Sequence, residues 1–98
     1  MDERIKIVRG SGNVFADLGF DKAEAENLKL RSQLMMSIDE CYRKSGMTRT
    51  KTARAFGITP LRLNALLKGS ISQFNIDALV NIATRAGLNV RLVAKKAA

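Results

Sequence analysis

Basic side chains in the middle of the chain are the residues with the clearest potential for chemistry. Residues 41–76 carry seven lysines and arginines and no aspartate or glutamate, whereas residues 1–40 carry six basic and eight acidic side chains. Unbalanced positive charge attracts polyanions, because each phosphate that is neutralised releases a condensed counterion. A solvated basic face is the alternative interpretation. The formal net charge of +8 therefore predicts a polyanionic partner that contacts residues 41–76.

The residue types that enzymes and metal sites use are scarce. The chain has no histidine and one cysteine, Cys41, which lies among apolar neighbours and is expected to be a reduced thiol in the core. No paired carboxylates form a cleft pattern, and the glycines of "GSGNVF", residues 10–15, lack the lysine of a phosphate-binding loop. We therefore expect no enzymatic activity, no metal ion and no cofactor.

Length and hydropathy bound the fold and its location. The 98 residues, 46% of them hydrophobic, suffice for one small domain. No stretch of 18 apolar residues is present, and the amino terminus mixes acidic with basic side chains, so neither a membrane span nor a signal peptide is expected. These features predict a single cytoplasmic domain without membrane contact.

Four helices are expected from capping residues and apolar periodicity. Each begins with a side chain that accepts a hydrogen bond from the backbone of the first turn, and each is followed by a glycine that can adopt left-handed backbone. Thr59 followed by Pro60 marks a sharp start, since proline at the first helical position has no N–H to leave unsatisfied. The expected helices span residues 21–44, 49–56, 60–68 and 76–86.

The two ends of the chain are predicted to contain short strands. Residues 4–7 alternate weakly between basic and apolar side chains, and residues 89–94, "NVRLVA", alternate in a similar way. The second strand needs a partner for its edge, either residues 5–8 of the same chain or a second copy of the molecule. The tail beyond residue 94 is expected to fray.

Residues 49–68 have the pattern of a helix-turn-helix. Such a unit needs a small residue where the two helices touch, a glycine in the turn and apolar side chains that fix the crossing angle. Ala53 and Gly57 supply the first two, and four apolar side chains supply the third. Thr52 departs from the pattern, because its hydroxyl stands where an aliphatic side chain is usual. We expect it to hydrogen-bond to a carbonyl group of its own helix.

The stretch "MTRTKTARAFGITPLRLNALLKGSISQFNIDALVNIATRAG", residues 47–87, resembles the five-helix DNA-binding domain of the Xre and lambda-repressor-like family. The upstream phrase "SGNVFADLGF", together with the long helix, the helix-turn-helix and the final strand, is similar to the small antitoxins of host-inhibition-of-growth type. The resemblance covers about residues 11–93. It implies an all-α, lambda-repressor-like bundle of about five helices with a helix-turn-helix and short terminal β-strands.

The resemblance also implies partners. Antitoxins of this type pair with a ribonuclease toxin of RelE-like fold, and the segment up to Phe20 is the expected part of the surface that binds it. A single helix-turn-helix reads only a few base pairs, so specific binding implies a homodimer on a palindromic double-stranded DNA operator, with recognition helices roughly 34 Å apart. We expect the fourth helix and residues 90–93 to form the dimer contact. The domain boundaries are an arm or strand over 1–20, the DNA-binding domain over 21–94 and a tail over 95–98.

The predicted helix 60–68 directs one side outward. On a helical wheel three leucines define its buried side, so that Leu61, Ala65 and Lys68 point directly away. That outward side is expected to enter the DNA major groove. The three leucines are Leu63, Leu66 and Leu67.

Outward and flanking side chains of this helix are the expected base contacts. Arg62 has donors for guanine and Asn64 has a donor and an acceptor for adenine, whereas Pro60 and Leu61 offer only apolar contact to a thymine methyl group. A phosphate contact or a solvated side chain is the alternative for Arg62 and for Asn64. The full set expected to read bases is Thr59, Pro60, Leu61, Arg62, Asn64 and Ala65.

A second set of residues is expected to contact DNA phosphates. Arg49 opens the predicted helix 49–56, whose exposed amide N–H groups also favour an anion, at a position where members of the resembled family commonly carry glutamine. Simple exposure to solvent is the alternative for each member of the set. The set comprises Arg49, Lys51, Arg54, Lys68 and Ser70, with the backbone of residues 69–72.

Three hypotheses about function follow. The first is a dimeric transcriptional repressor that is also an antitoxin and represses its own operon. The second is a stand-alone or phage-type regulator with no toxin partner. The third is a protein-interaction module whose basic face meets an acidic protein. Steep salt dependence of DNA binding separates the first two from the third, and a neighbouring gene for a small ribonuclease-like protein separates the first from the second.

Overall fold

The structure is a computed structural model that describes residues 14–96. Regular structure in this range consists of five α-helices and one 3-10 turn, which confirms the expected all-α bundle of about five helices. The expected strand at residues 5–8 lies outside the described residues. The elements are α1 (Val14–Asp17), α2 (Lys22–Ser45), α3 (Arg49–Phe56), α4 (Pro60–Leu67), the 3-10 turn (Ile71–Gln73) and α5 (Ile76–Arg85).

Helix α1 is a single turn that the sequence pattern did not predict, since residues 1–20 were expected to form an arm or a strand. It packs against α2, and the ring of Phe15 meets the ring of Phe20 edge to face with centroids 6.2 Å apart. Val14 and Leu18 remain 60% and 71% exposed. This end of the molecule therefore presents apolar side chains to solvent.

Helix α2 begins and ends as its capping residues predict. The side chain of Asp21 accepts a hydrogen bond of 2.8 Å from the backbone N–H of Glu24, and Gly46 closes the helix with a φ of 71°. Apolar side chains at three- and four-residue spacing turn one side toward the core, where Ile38 is fully buried. Cys41 is a free thiol, but it is half-buried, and its Sγ donates to the carbonyl of Ala86 at 3.5 Å.

The helix-turn-helix is formed by α3, the turn after it and α4. Thr48 and Thr59 cap the two helices, each accepting a hydrogen bond from a backbone N–H three residues later. Pro60 occupies the first turn of α4, and Gly57 joins the helices with a φ of 75°. Both helices therefore begin and end within one residue of the prediction.

One hydrophobic core joins α2 to the helix-turn-helix and α5. Its fully buried side chains include Ile38 from α2, Leu63 from α4 and Leu79 from α5, with Phe74 closing the side between α4 and α5. Burying a side chain of this size contributes about 1.5–3 kcal/mol each. Because α4 contacts both α2 and α3, this core determines which side of α4 faces outward.

Thr52 does not make the hydrogen bond that was expected of it. Thr52 is 0% exposed, and its Oγ1 has no hydrogen-bond partner among residues 14–96. The prediction of a bond to a carbonyl of its own helix was wrong. An unsatisfied buried hydroxyl costs about 1–3 kcal/mol, so Thr52 is a defect in the packing of α3.

Residues 88–96 have no regular secondary structure, so the strand expected at 89–94 is not found in the single chain. A strand requires a hydrogen-bonded neighbour, and the described range offers none for this segment. Leu92 and Val93 are more than 70% exposed. None of the helices within residues 14–96 is both long and apolar enough to cross a lipid bilayer.

Candidate nucleic-acid interface

The outward side of α4 lies where the helical wheel places it. Leu63 and Leu66 are 0% and 1% exposed, whereas Leu61 is 80% exposed and Lys68 is also exposed. Ala65 departs from the prediction that it points directly away, because it is half-buried and packs against the edge of the core. Leu67, which was expected to be buried, is half-buried against the core as well. The accessible part of α4 is therefore its amino-terminal half.

The start of α4 offers a small number of polar groups beside Leu61. Thr59 and Pro60 are exposed, and the hydroxyl oxygen of Thr59 accepts from the backbone N–H of Arg62 at 3.1 Å. The hydroxyl proton of Thr59 stays available to an acceptor on a ligand. Pro60 has no N–H, so the first turn of α4 combines apolar surface with one hydroxyl donor.

Arg62 lies beside the loop that follows α4. Its guanidinium carbon is 4.4 Å from the centroid of the Phe74 ring, a cation–π contact that covers this buried side chain. The residue is half-buried and lines an open cleft of about 630 Å³ at the turn between α3 and α4, with Asn81 and Arg85 from α5 on the far wall. The structure thus separates Arg62 from its neighbour Leu61 on the helix surface.

A hydrogen bond links the two predicted sets of contacts. Arg49, the first residue of α3, donates from Nη1 to the Oδ1 of Asn64 in α4. Arg49 is exposed and Asn64 is half-buried. A residue expected to bind phosphate and a residue expected to read a base are therefore in direct contact across the motif.

Fewer basic residues lack an acidic partner than the composition of residues 41–76 indicates. Arg43 and Lys44, at the end of α2, pair with Asp39 and Glu40 at N–O distances of 2.8 and 3.3 Å. The hydrogen bond and the charge of Asp39 raise the pKa of Arg43 above its ordinary value. The remaining five basic residues of positions 41–76 have no carboxylate within 4.0 Å among residues 14–96. They are Arg49, Lys51, Arg54, Arg62 and Lys68.

The other expected phosphate contacts lie along α3 and around the end of α4. Lys51, Arg54 and Lys68 are exposed. Ser70 is half-buried, and its backbone N–H already donates to the carbonyl of Ala65 at 3.0 Å, so this amide is not free for a phosphate. Its hydroxyl has no hydrogen-bond partner among the described residues and is the part of Ser70 that can reach a ligand.

Arg31 holds the loop after α4, a role that sequence reasoning missed. It lies in α2, and its Nη1 donates to the carbonyl groups of Ile71 and Phe74 at 2.9 and 3.2 Å, while its Nε donates to Asn27 at 2.6 Å. Only the four-residue spacing of Asn27 and Arg31 is visible in the sequence. The two bonds across 40 and 43 residues have no local signal.

Comparison with known families agrees with this geometry. Residues 14–95 match the family model described as a helix-turn-helix domain, which covers more than half of the chain. A search of curated proteins finds no match. In helix-turn-helix proteins that bind DNA, the second helix of the motif lies in the major groove. The chain belongs to the helix-turn-helix domain family.

Proposed function

We propose that this protein is a sequence-specific transcriptional repressor that inserts the amino-terminal half of α4 into the DNA major groove. The observation that carries the proposal is the exposure of Leu61, at 80%, on the side of α4 opposite two fully buried leucines. A solvent-facing leucine at the start of the second helix of a helix-turn-helix is suited to contact with a thymine methyl group. The five basic residues that have no carboxylate partner within residues 14–96 supply the attraction to the DNA backbone.

The groups around Leu61 define the roles that we propose for individual residues. Thr59 donates its hydroxyl proton to a base edge, Pro60 and Ala65 add apolar contact, and Arg62 donates to guanine after leaving the ring of Phe74. Asn64, which the sequence also predicts to read a base, instead accepts a hydrogen bond from Arg49. The proposed phosphate contacts are Arg49, Lys51, Arg54, Lys68 and the hydroxyl of Ser70.

The more specific form of the proposal is an antitoxin that represses its own operon in the cytoplasm and has no catalytic activity of its own. The phrase "SGNVFADLGF" supports it through its similarity to antitoxins of host-inhibition-of-growth type. The exposed apolar side chains of Val14, Leu18 and Phe20 support it as well, because they give a ribonuclease toxin an apolar surface to bury.

A homodimer follows from the proposed mode of DNA binding. Two recognition helices about one helical turn of DNA apart are needed to read a palindromic operator. Residues 89–96 supply a segment without regular secondary structure, with exposed Val90, Leu92 and Val93, which a second copy can pair with as an antiparallel strand.

Salt-dependent DNA binding tests the proposal against a protein-interaction module. The duplex should first be selected from a random library, and its affinity then measured across a salt series. We expect the affinity to fall by about 0.9 log units per log unit of salt for each phosphate contacted. Absence of duplex binding at low salt would favour the protein-interaction module.

A matched pair of charge variants sharpens this test. Arg54→Gln removes an unpaired guanidinium of the motif, whereas Arg43→Gln removes one that is paired with Asp39 outside it. We expect Arg54→Gln to reduce the salt slope by about 1 and Arg43→Gln to leave it unchanged. Equal slopes for the two variants would show that Arg54 makes no phosphate contact. Co-purification with the product of the adjacent gene separates an antitoxin from a stand-alone regulator.

A further inference from the structure

The hydrogen bond between Arg49 and Asn64 assigns a direction to the amide of Asn64. A guanidinium has donors only, so it can bind the amide through the oxygen and not through the nitrogen. The Oδ1 of Asn64 therefore faces Arg49 at the amino terminus of α3. Asparagine reads adenine by accepting at Oδ1 and donating at Nδ2 together. With Oδ1 bound to Arg49, adenine readout would require the same oxygen to accept a second hydrogen bond while it stays directed toward α3.

Arg49 occupies a position that does not favour a cation on its own. The amino terminus of a helix carries partial positive charge, and no carboxylate pairs with Arg49 among residues 14–96. The neutral amide of Asn64 is the only side chain in this range that holds the guanidinium. An arginine has many rotamers to lose on binding, and a partner that restricts them in advance lowers that entropic cost.

We propose that Asn64 is a positioning residue, which fixes the guanidinium of Arg49 for one DNA phosphate and does not read a base. The inference rests on the proposed function and assigns Asn64 a different role in it from adenine readout. Because Arg49 belongs to α3 and Asn64 to α4, their bond also fixes the guanidinium that would bind a phosphate relative to the helix that would enter the groove. The distance between the phosphate contact and the base contacts is then set before DNA binds.

A double-mutant cycle on the selected duplex tests this role. Affinities of the wild-type protein, Asn64→Ala, Arg49→Ala and the double variant are measured for that duplex and for each of its single-base variants. We expect Asn64→Ala to weaken all duplexes by the same factor, about three- to tenfold, and to have no further effect once Arg49 is alanine. Arg54→Ala combined with Asn64→Ala is the matched control, and there the two effects should multiply.

A second measurement in the free protein keeps the test independent of DNA. The Nε–H group of Arg49 is followed by nitrogen-15 relaxation, and Asn64→Ala should increase its motion while that of Arg54 stays unchanged. Unchanged motion of Arg49 would overturn the inference. A changed preference at one base pair that persists in the Arg49→Ala background would also overturn it and make Asn64 a base-reading residue. Failure of the wild-type protein to bind any duplex would instead overturn the proposed function itself.

Discussion

The two turns that flank α3 have the same local design in different surroundings. Residues 46–48 and residues 57–59 both read glycine, apolar residue, threonine. The glycines have φ angles of 71° and 75°, and the threonine hydroxyls accept from the backbone at 3.2 and 3.1 Å. Local chemistry alone therefore ends one helix and begins the next at both places.

The two turns differ in the side chains that pack against them. A Cβ atom on Gly46 would meet nothing within 4 Å, whereas one on Gly57 would lie 2.9 Å from the Nε of Arg85. Met47 is 38% exposed, while Ile58 packs against the core. The first turn only separates two helices, but the second also sets the angle at which α4 leaves the core. The proposed DNA-binding surface depends on the second turn.

Valine at the two glycines tests this difference with the largest expected effect. A branched side chain resists positive φ at either site, and at Gly57 it must also displace Arg85. We expect Gly46→Val to lower the free energy of unfolding by about 1–3 kcal/mol from strain alone, and Gly57→Val to lower it by somewhat more, because the flexible side chain of Arg85 must also move. Urea denaturation measures both values. An equal decrease in the free energy of unfolding for the two variants would mean that the contact with Arg85 does not restrict the second turn.

Thr52→Val tests the buried middle of α3, which lies between the two turns. The change replaces a buried hydroxyl that lacks a partner with a methyl group of the same shape. We expect the free energy of unfolding to rise by about 1 kcal/mol or slightly more, with the midpoint of urea unfolding as the measurement. A loss of stability would mean that the hydroxyl makes a hydrogen bond in solution.

Removal of the two threonine caps tests whether the hydroxyl of Thr48 and the hydroxyl of Thr59 stabilise their helices equally. Thr48→Ala and Thr59→Ala each delete one hydroxyl that satisfies a backbone N–H of a first helical turn. Each change is expected to cost about 1 kcal/mol, and the two costs should agree within a few tenths. Thermal unfolding followed by circular dichroism compares them. A much larger cost for one cap would contradict the view that the local chemistry is the same.

The same contrast explains what could be predicted from the sequence. Caps, glycine closures and the spacing of leucines are local, so the bounds of α2, α3 and α4 and the exposure of Leu61 followed from them. The strand at 89–94 is not found in the single chain, and its pairing depends on a neighbour outside the segment. The half-burial of Ala65 comes from the angle at which α4 meets the core, which a helical wheel does not contain.

The candidate site shows the same limit through its long-range contacts. Arg31 on the loop, Arg62 on Phe74 and Arg49 on Asn64 each join residues 12 to 43 positions apart. Arginine side chains are long and flexible, so their partners are decided by tertiary packing and not by neighbouring residues. The sequence therefore predicted which residues are basic but not what each guanidinium touches.

The most direct test of the central claim is a nitrogen-15 chemical-shift map of the protein titrated with its selected duplex. If the amino-terminal half of α4 enters the groove, the largest shifts of backbone amides will fall on residues 59–65, with a second group at residues 49–51. Shifts confined to α1 or to residues 76–96, with α4 unaffected, would contradict the account.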